Sequence, residues 1–148
     1  MFVGEYTHTL DDKGRLTLPA RMREPLGERV VVTRGFEQCL FVFPADDFEK
    51  FMASFNTVGL GGADVRGLSR YFGSKAIEDA PDKQGRINLP QQLREHAQLD
   101  GEVIVIGAFD HVELWNPTLY AQQDAELVVN VPDMSERVNE ALLRMRQK

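Results

Sequence analysis

The sequence predicts a β-rich α+β fold in which two copies of a β-hairpin/α unit share one barrel, with further helices at its periphery. Three observations carry that expectation. First, Asp11-Asp12-Lys13-Gly14-Arg15-Leu16-Thr17-Leu18-Pro19 returns as Asp82-Lys83-Gln84-Gly85-Arg86-Ile87-Asn88-Leu89-Pro90, an offset of 71 that also relates Arg23 to Arg94. Two such strings in register mark an internal duplication. Second, apolar and polar residues alternate along 2–10 and again after each glycine, the period of a half-buried strand. Third, each half is too short to bury a core of its own, so the two must share one.

Taken in order, Phe2 to Leu10 reads as a first strand. Gly14 supplies the positive φ of a tight turn, with Asp11, Asp12 and Lys13 before it. The next strand places Leu16 and Leu18 on one face and Arg15 and Thr17 on the other. Pro19 cannot continue a ladder but suits a helix start, and 19–26 comes next with Met22 and Leu26 as its apolar stripe and Gly27 as its stop. Val30-Val31-Val32-Thr33 and Cys39 to Phe43 read as buried strands, the second closed by Pro44.

The second half keeps this order. Residues 74–81 stand where 2–10 stood, helix 90–97 answers 19–26, and Val103 to Ile106 answers Val30 to Thr33. Phe109 answers Phe36 and Pro117 answers Pro44, now at an offset of 73 (109 − 36). Each half therefore reads β-turn-β-α-β-β-α. The expected boundaries are 1–58 for the first half, 59–73 for a connector with a helix, 74–121 for the second half and 122–148 for a C-terminal helix or tail.

In the connector, Asp46 and Asp47 cap a helix whose Phe48, Phe51, Met52 and Phe55 share one face, a stripe suited to core or subunit interface. Gly59, Gly61 and Gly62 mark a hinge. Asp64 to Phe72 reads as a helix with Val65, Leu68 and Phe72 inward and Arg66 and Arg70 outward. Pro132-Asp133-Met134-Ser135-Glu136 has the spacing of a helix start. Met134, Val138, Ala141, Leu142 and Met145 give the C-terminal segment one apolar face.

With 148 residues, 43% hydrophobic and 27% charged, the chain fits an ordinary soluble protein. No apolar run suits a membrane span, and Phe2-Val3-Gly4-Glu5 does not begin a signal peptide. One cysteine, Cys39, excludes an intramolecular disulfide, and these features together point to the cytoplasm. His8, His96 and His111 lie in different elements without metal-ligand spacing, so no metal site is expected. There is no Gly-x-Ser-x-Gly and no P-loop, so neither a cofactor, a small-molecule substrate nor an enzyme activity is expected.

A net charge of −6 argues against nucleic acid only if charge is evenly spread. The repeats instead place Lys13, Arg15, Lys83 and Arg86 in equivalent turns. Asp11 stands four residues before Arg15, and Asp82 four before Arg86, so each carboxylate can brace a guanidinium across its turn. Taken singly, such a pair reads as a solvated surface turn. Arginine on a rigid hairpin can also fork onto guanine O6/N7 or onto phosphate, with lysine beside it on phosphate.

The two Gly-Arg-x-x-Leu-Pro motifs, the opening Met1-Phe2-x-Gly4-Glu5-Tyr6, Leu93-Arg94-Glu95-His96-Ala97 and Glu113-Leu114-Trp115 together resemble the MraZ family of bacterial regulators. The resemblance runs from Met1 to about Ala121, and each half is similar to the AbrB/SpoVT DNA-binding domain. It implies an AbrB-like swapped-hairpin barrel within one chain and a ring-shaped homo-oligomer. It further implies a transcription factor, usually a repressor, of the division and cell-wall gene cluster. Such a regulator would be nucleoid-associated and would bind double-stranded DNA at direct repeats in its own promoter. The DNA-contacting role falls on the Asp-x-x-x-Arg motifs, here Lys13, Gly14, Arg15, Lys83 and Arg86, with Asp11 and Asp82 as braces. The second copy departs at Gln84, where the first has Lys13, which leaves Lys83 to supply the phosphate contact. The alternative is an AbrB-like module, such as an antitoxin, whose chief surface binds protein.

Overall fold

The computed structural model describes residues 1–57 and 62–147. Among them the chain divides into two units, Met1–Pro117 and Thr118–Lys148. In the first unit, the N-terminal half runs β1 (Glu5–Thr9), β2 (Arg15–Thr17), α1 (Ala20–Leu26), β3 (Val30–Arg34), β4 (Leu40–Pro44) and α2 (Ala45–Ser54), ending in a 3₁₀ turn at Phe55–Thr57. Helix α3 (Gly62–Gly73) leads to β5 (Ile77–Asp79), β6 (Arg86–Asn88), α4 (Gln91–Ala97), β7 (Glu102–Gly107) and β8 (Val112–Trp115). Helix α5 (Pro117–Arg146) ends the chain's described elements.

The two halves interleave. A six-stranded sheet has the order β1-β7-β8-β4-β3-β5, antiparallel at each pairing. Strand β1 of the first half therefore sits beside β7 of the second, and β5 of the second beside β3 of the first. A second ladder pairs β2 with β6, Leu16 opposite Ile87. It joins β1 through a single Leu10–Leu16 bridge, so among the described residues the ladders do not run unbroken around a barrel. The reason is local: β2 and β6 are three residues long, and Pro19 and Pro90, which cannot donate to a ladder, come shortly after each.

Both halves fill one core. Leu16, Leu18, Met22, Leu26, Val30 and Val32 meet Ile87, Leu89, Leu93, Val103, Val105 and Leu114 there. The helix after each ribbon strand starts one residue later than the sequence suggests, with Pro19 and Pro90 as the capping residues. Gly27 closes α1 at φ +81, whereas Gln98 closes α4 in the left-handed conformation without glycine.

The central strands are buried on both faces. Beyond the core side of β3 and β4, Phe41, Phe43 and Phe72 meet Phe48, Phe51 and Phe55 in a network of edge and stacked ring contacts. The phenylalanine stripe of α2 is thus packed on the sheet of its own chain. The end of α3 is pinned to β3. Arg34 donates through Nε and Nη2 to the Tyr71 carbonyl at 3.1 and 2.6 Å and lies 4.0 Å over the Tyr71 ring. Thr33, the one buried polar residue among the described positions, donates to the Phe72 carbonyl at 2.7 Å. Of the expected hinge glycines, Gly62 opens α3, while Gly59 and Gly61 lie outside the described residues.

The expected helix start at Pro132 is corrected: α5 runs through that position as one helix. Asp133 and Glu136 need not cap an end, because the backbone before Pro132 is already helical. Proline costs the helix one hydrogen bond there and is tolerated on an exposed turn.

Residues 1–58 alone are expected not to give a folded monomer, because β1, β2 and β3 would lose β7, β6 and β5. The check is light scattering with an amide NMR spectrum; good dispersion from a strictly monomeric fragment would overturn the interleaved fold.

Candidate nucleic-acid interface

The two glycine turns are built alike, atom for atom. Asp11 Oδ1 accepts the backbone N–H groups of Lys13 and Arg15, both at 2.9 Å, while Oδ2 accepts Arg15 Nε at 2.7 Å. Asp82 does the same for Gln84 and Arg86, at 2.9, 2.9 and 2.7 Å. A side chain as short as aspartate reaches two amides of its own turn, which is why such turns favour it. Gly14 and Gly85 take the required left-handed conformation at φ +76 and +77.

Each turn is then fixed by the opposite half. The Leu89 N–H donates to the Gly14 carbonyl at 2.9 Å and the Leu18 N–H to the Gly85 carbonyl at 2.8 Å. Arg23, donating through Nε to the Leu18 carbonyl at 3.0 Å, covers Gly85 so closely that a β-carbon there would strike its guanidinium. Arg94, donating to the Leu89 carbonyl at 2.8 Å, covers Gly14 less tightly, so that a β-carbon there would crowd its guanidinium at 3.1 Å. Sequence reasoning gave Arg23 and Arg94 no role. Their shared offset of 71 was the signal, but the crossing from one half to the other appears only once β2 pairs with β6.

That pairing decides where the arginines point. Arg15 stands opposite Asn88 and Thr17 opposite Arg86, with Leu16 and Ile87 between them fully buried. Opposed residues of an antiparallel pair share a face, so Arg15, Thr17, Arg86 and Asn88 all occupy the outer face of one ribbon. The two arginines are diagonal neighbours, about 7–8 Å apart across the two strands. Lys13 and Lys83 are exposed in the flanking turns.

Each brace engages Nε, and a guanidinium carries two further nitrogens with which to fork onto an acceptor pair. The carboxylates feel the same contacts. The Arg15 backbone N–H is the main cause holding the Asp11 carboxyl below its ordinary range. Desolvation opposes it, and the guanidinium and the Lys13 N–H add to it. Asp82 is lowered for the same reasons by Arg86 and Gln84. Partial burial and then the Arg23 charge depress His8. His111 lies elsewhere, on the β7–β8 turn, between Asp110 at 2.7 Å and Glu113 at 2.9 Å. Burial pulls its pKa down, but hydrogen bonds to the two carboxylates outweigh that and raise it. Among the described residues no group of three or more His, Cys, Asp or Glu could hold a metal ion, and no helix is long and apolar enough to cross a membrane.

The sequence model of the MraZ protein family, whose description likens it to antitoxins, matches residues 1–70 and again 72–144. The chain belongs to the MraZ family. Among curated MraZ proteins, the transcriptional regulator of Desulfitobacterium hafniense is 46% identical over 121 residues, 82% of this chain and 85% of that one. That of Moorella thermoacetica is 48% identical over 116 residues, 78% and 81% of the two chains. The regulator of Desulforamulus reducens is 40% identical over 142 residues, 96% of this chain and all of its own. The double match of the MraZ model is the counterpart of the two braced turns.

Because the folded value of Asp11 is depressed, its stabilisation of the turn is complete above the ordinary aspartate value of about 3.9. It is lost as pH falls through the depressed folded value. An NMR titration should therefore show the Lys13 and Arg15 amides moving with the Asp11 carboxyl, below the ordinary range, and Asp82 behaving alike. Amides that shift at the ordinary value would mean the braces are not formed in solution.

Proposed function

We propose that this chain is a sequence-specific DNA-binding transcriptional regulator. In this reading it is a repressor of the division and cell-wall gene cluster, acting in the cytoplasm on the nucleoid. The observation that carries the reading is the outer face of the β2–β6 ribbon, where two arginines are held by carboxylates and no apolar side chain intrudes. The naming of its relatives as transcriptional regulators supports it. A two-stranded ribbon fits the major groove, which is about 12 Å wide. Arg15 and Arg86 would fork onto guanine O6 and N7, and Lys13 and Lys83 would contact phosphates on either side. Gly14 and Gly85 let the backbone of each turn approach closely, and Asp11 and Asp82 hold the readers in place. The halves 1–58 and 74–121 each supply one reader, with 59–73 as connector and 122–148 as an assembly segment.

One ribbon neutralises few phosphates, so non-specific binding by a single chain is as weak as about 10⁻⁴ M. A homo-oligomeric ring on direct repeats offsets this, because linked sites gain roughly 10²–10⁴ in avidity. Leu127, Val131, Met134, Val138 and Met145 stand exposed along α5, with Ala141 completing a spacing of four and three, the pattern of helices that associate. That surface and the antitoxin-like description of the family also favour a second reading, a partner-binding module. A gel shift with the promoter of its own gene separates the two.

Arg15→Ala and Arg86→Ala should each leave the fold intact, since both side chains lie on the outer face. Each should weaken specific binding by about 1–3 kcal/mol. Unchanged affinity in that gel shift would remove the assignment.

Neighbouring subunits must meet the same groove face, so repeats should recur about every 10–10.5 base pairs. Moving one repeat by half a helical turn, sequence intact, should lower affinity toward that of the remaining repeats alone. Undiminished binding would refute the ring-on-repeats arrangement.

A further inference from the structure

We infer that Thr17 and Asn88 give the ribbon a direction, so that each chain reads an asymmetric DNA site whose adenine-bearing side is set by Asn88. The inference rests on the ribbon being the DNA reader.

The ribbon has a near-perfect local two-fold axis. The offset of 71 carries Arg15 to Arg86, Leu16 to Ile87 and Thr17 to Asn88, and the pairing sets Leu16 directly against Ile87. The axis therefore passes between these two buried side chains. The braces obey it, with matching distances in both turns. A reader with true two-fold symmetry selects a palindrome, because the DNA site mirrors the protein axis. Such a reader would also bind in either of two equivalent orientations.

At the buried centre the two copies differ only as Leu16 against Ile87, and beside β6 Asp79, which accepts the Asn88 N–H at 2.8 Å, stands where the first half has His8; on the outer face the differences change what a ligand would meet. Position 17 is threonine where 88 is asparagine, 13 is lysine where 84 is glutamine, and 12 is aspartate where 83 is lysine. The outer two pairs lie in the turns, where side chains meet phosphate and carry no base information. The inner pair lies beside the arginines: Asn88 opposite Arg15, Thr17 opposite Arg86. An asparagine amide donates and accepts at once and fits adenine N6 and N7, whereas threonine offers one hydroxyl and a methyl group that suits thymine. Asn88 is also the more exposed of the two. One end of the ribbon thus presents Arg with Asn, the other Arg with Thr.

This asymmetry gives the array its polarity. Copies related by rotation around a ring all point the same way along DNA. They match tandem repeats only if a single ribbon distinguishes its two orientations, which identical ends could not do.

The test is enrichment of single-site duplexes from a random pool by the full chain, by Asn88→Thr and by Thr17→Asn. Both positions face outward, and threonine at 88 copies what β2 already carries at 17, so folding should hold. The wild-type chain should enrich a motif with guanine on both sides and adenine on one. Asn88→Thr should lose that adenine preference by roughly 5- to 150-fold and enrich inverted, matching halves. Thr17→Asn should also enrich matching halves, now with adenine on both sides. A palindrome from the wild-type chain, or either variant keeping the wild-type motif, overturns the inference while leaving DNA reading intact. A wild-type chain that enriches no single site yet shifts its own promoter overturns the inference alone, and one that does neither overturns the proposed function as well.

Discussion

The antiparallel pairing of Arg15–Thr17 with Arg86–Asn88 is the contact on which the rest of the first unit depends. Its inner residues, Leu16 and Ile87, are fully buried at the centre of a core to which both halves contribute. Its flanks carry the reciprocal bonds from Leu18 and Leu89 to Gly85 and Gly14. Because the ribbon is made of one strand from each half, the halves must also exchange β1 and β5 across the larger sheet. Arg29, donating to Glu78 at 2.8 Å, ties that exchange at the exposed edge.

The braces also settle how a chain of net charge −6 accommodates a carboxylate beside each ribbon arginine. Both copies keep an aspartate beside the arginine. In the turn, each aspartate is occupied by two amides and a guanidinium, so its charge is partnered within the turn itself. An isosteric asparagine would offer one oxygen instead of two and no charge. Each pair holds its arginine in one rotamer, Arg15 in the first turn and Arg86 in the second.

The two-half architecture was legible because the duplicated string is long and in register, and period-two alternation placed Leu16 and Leu18 inward correctly. Braces at Asp11 and Asp82 were legible too, since a four-residue spacing across a glycine turn leaves few geometries. The side-by-side placement of the arginines was not, because strand partners 71 residues apart leave no local trace. Arg23 and Arg94 were hidden for the same reason, each acting on the opposite half's turn. The continuity of α5 through Pro132 was misread because an Asp-x-x-Glu pattern serves equally well at a helix start or on an exposed helical face.

The swap of β1 has a consequence in time. Glu5–Thr9 finds its partner only when Glu102–Ile106 has been made, 93 (102 − 9) to 101 (106 − 5) residues later. At about 5–20 residues per second, a nascent chain waits roughly 5–20 s with its first strand unpaired. The ribbon closes earlier, once Arg86–Asn88 has been made, and before that its outer face does not exist. A chain that stops in the connector carries β2 without β6 and so has no ribbon at all. Synthesis of the second half is thereby a precondition for the face on which Arg15 and Arg86 stand together.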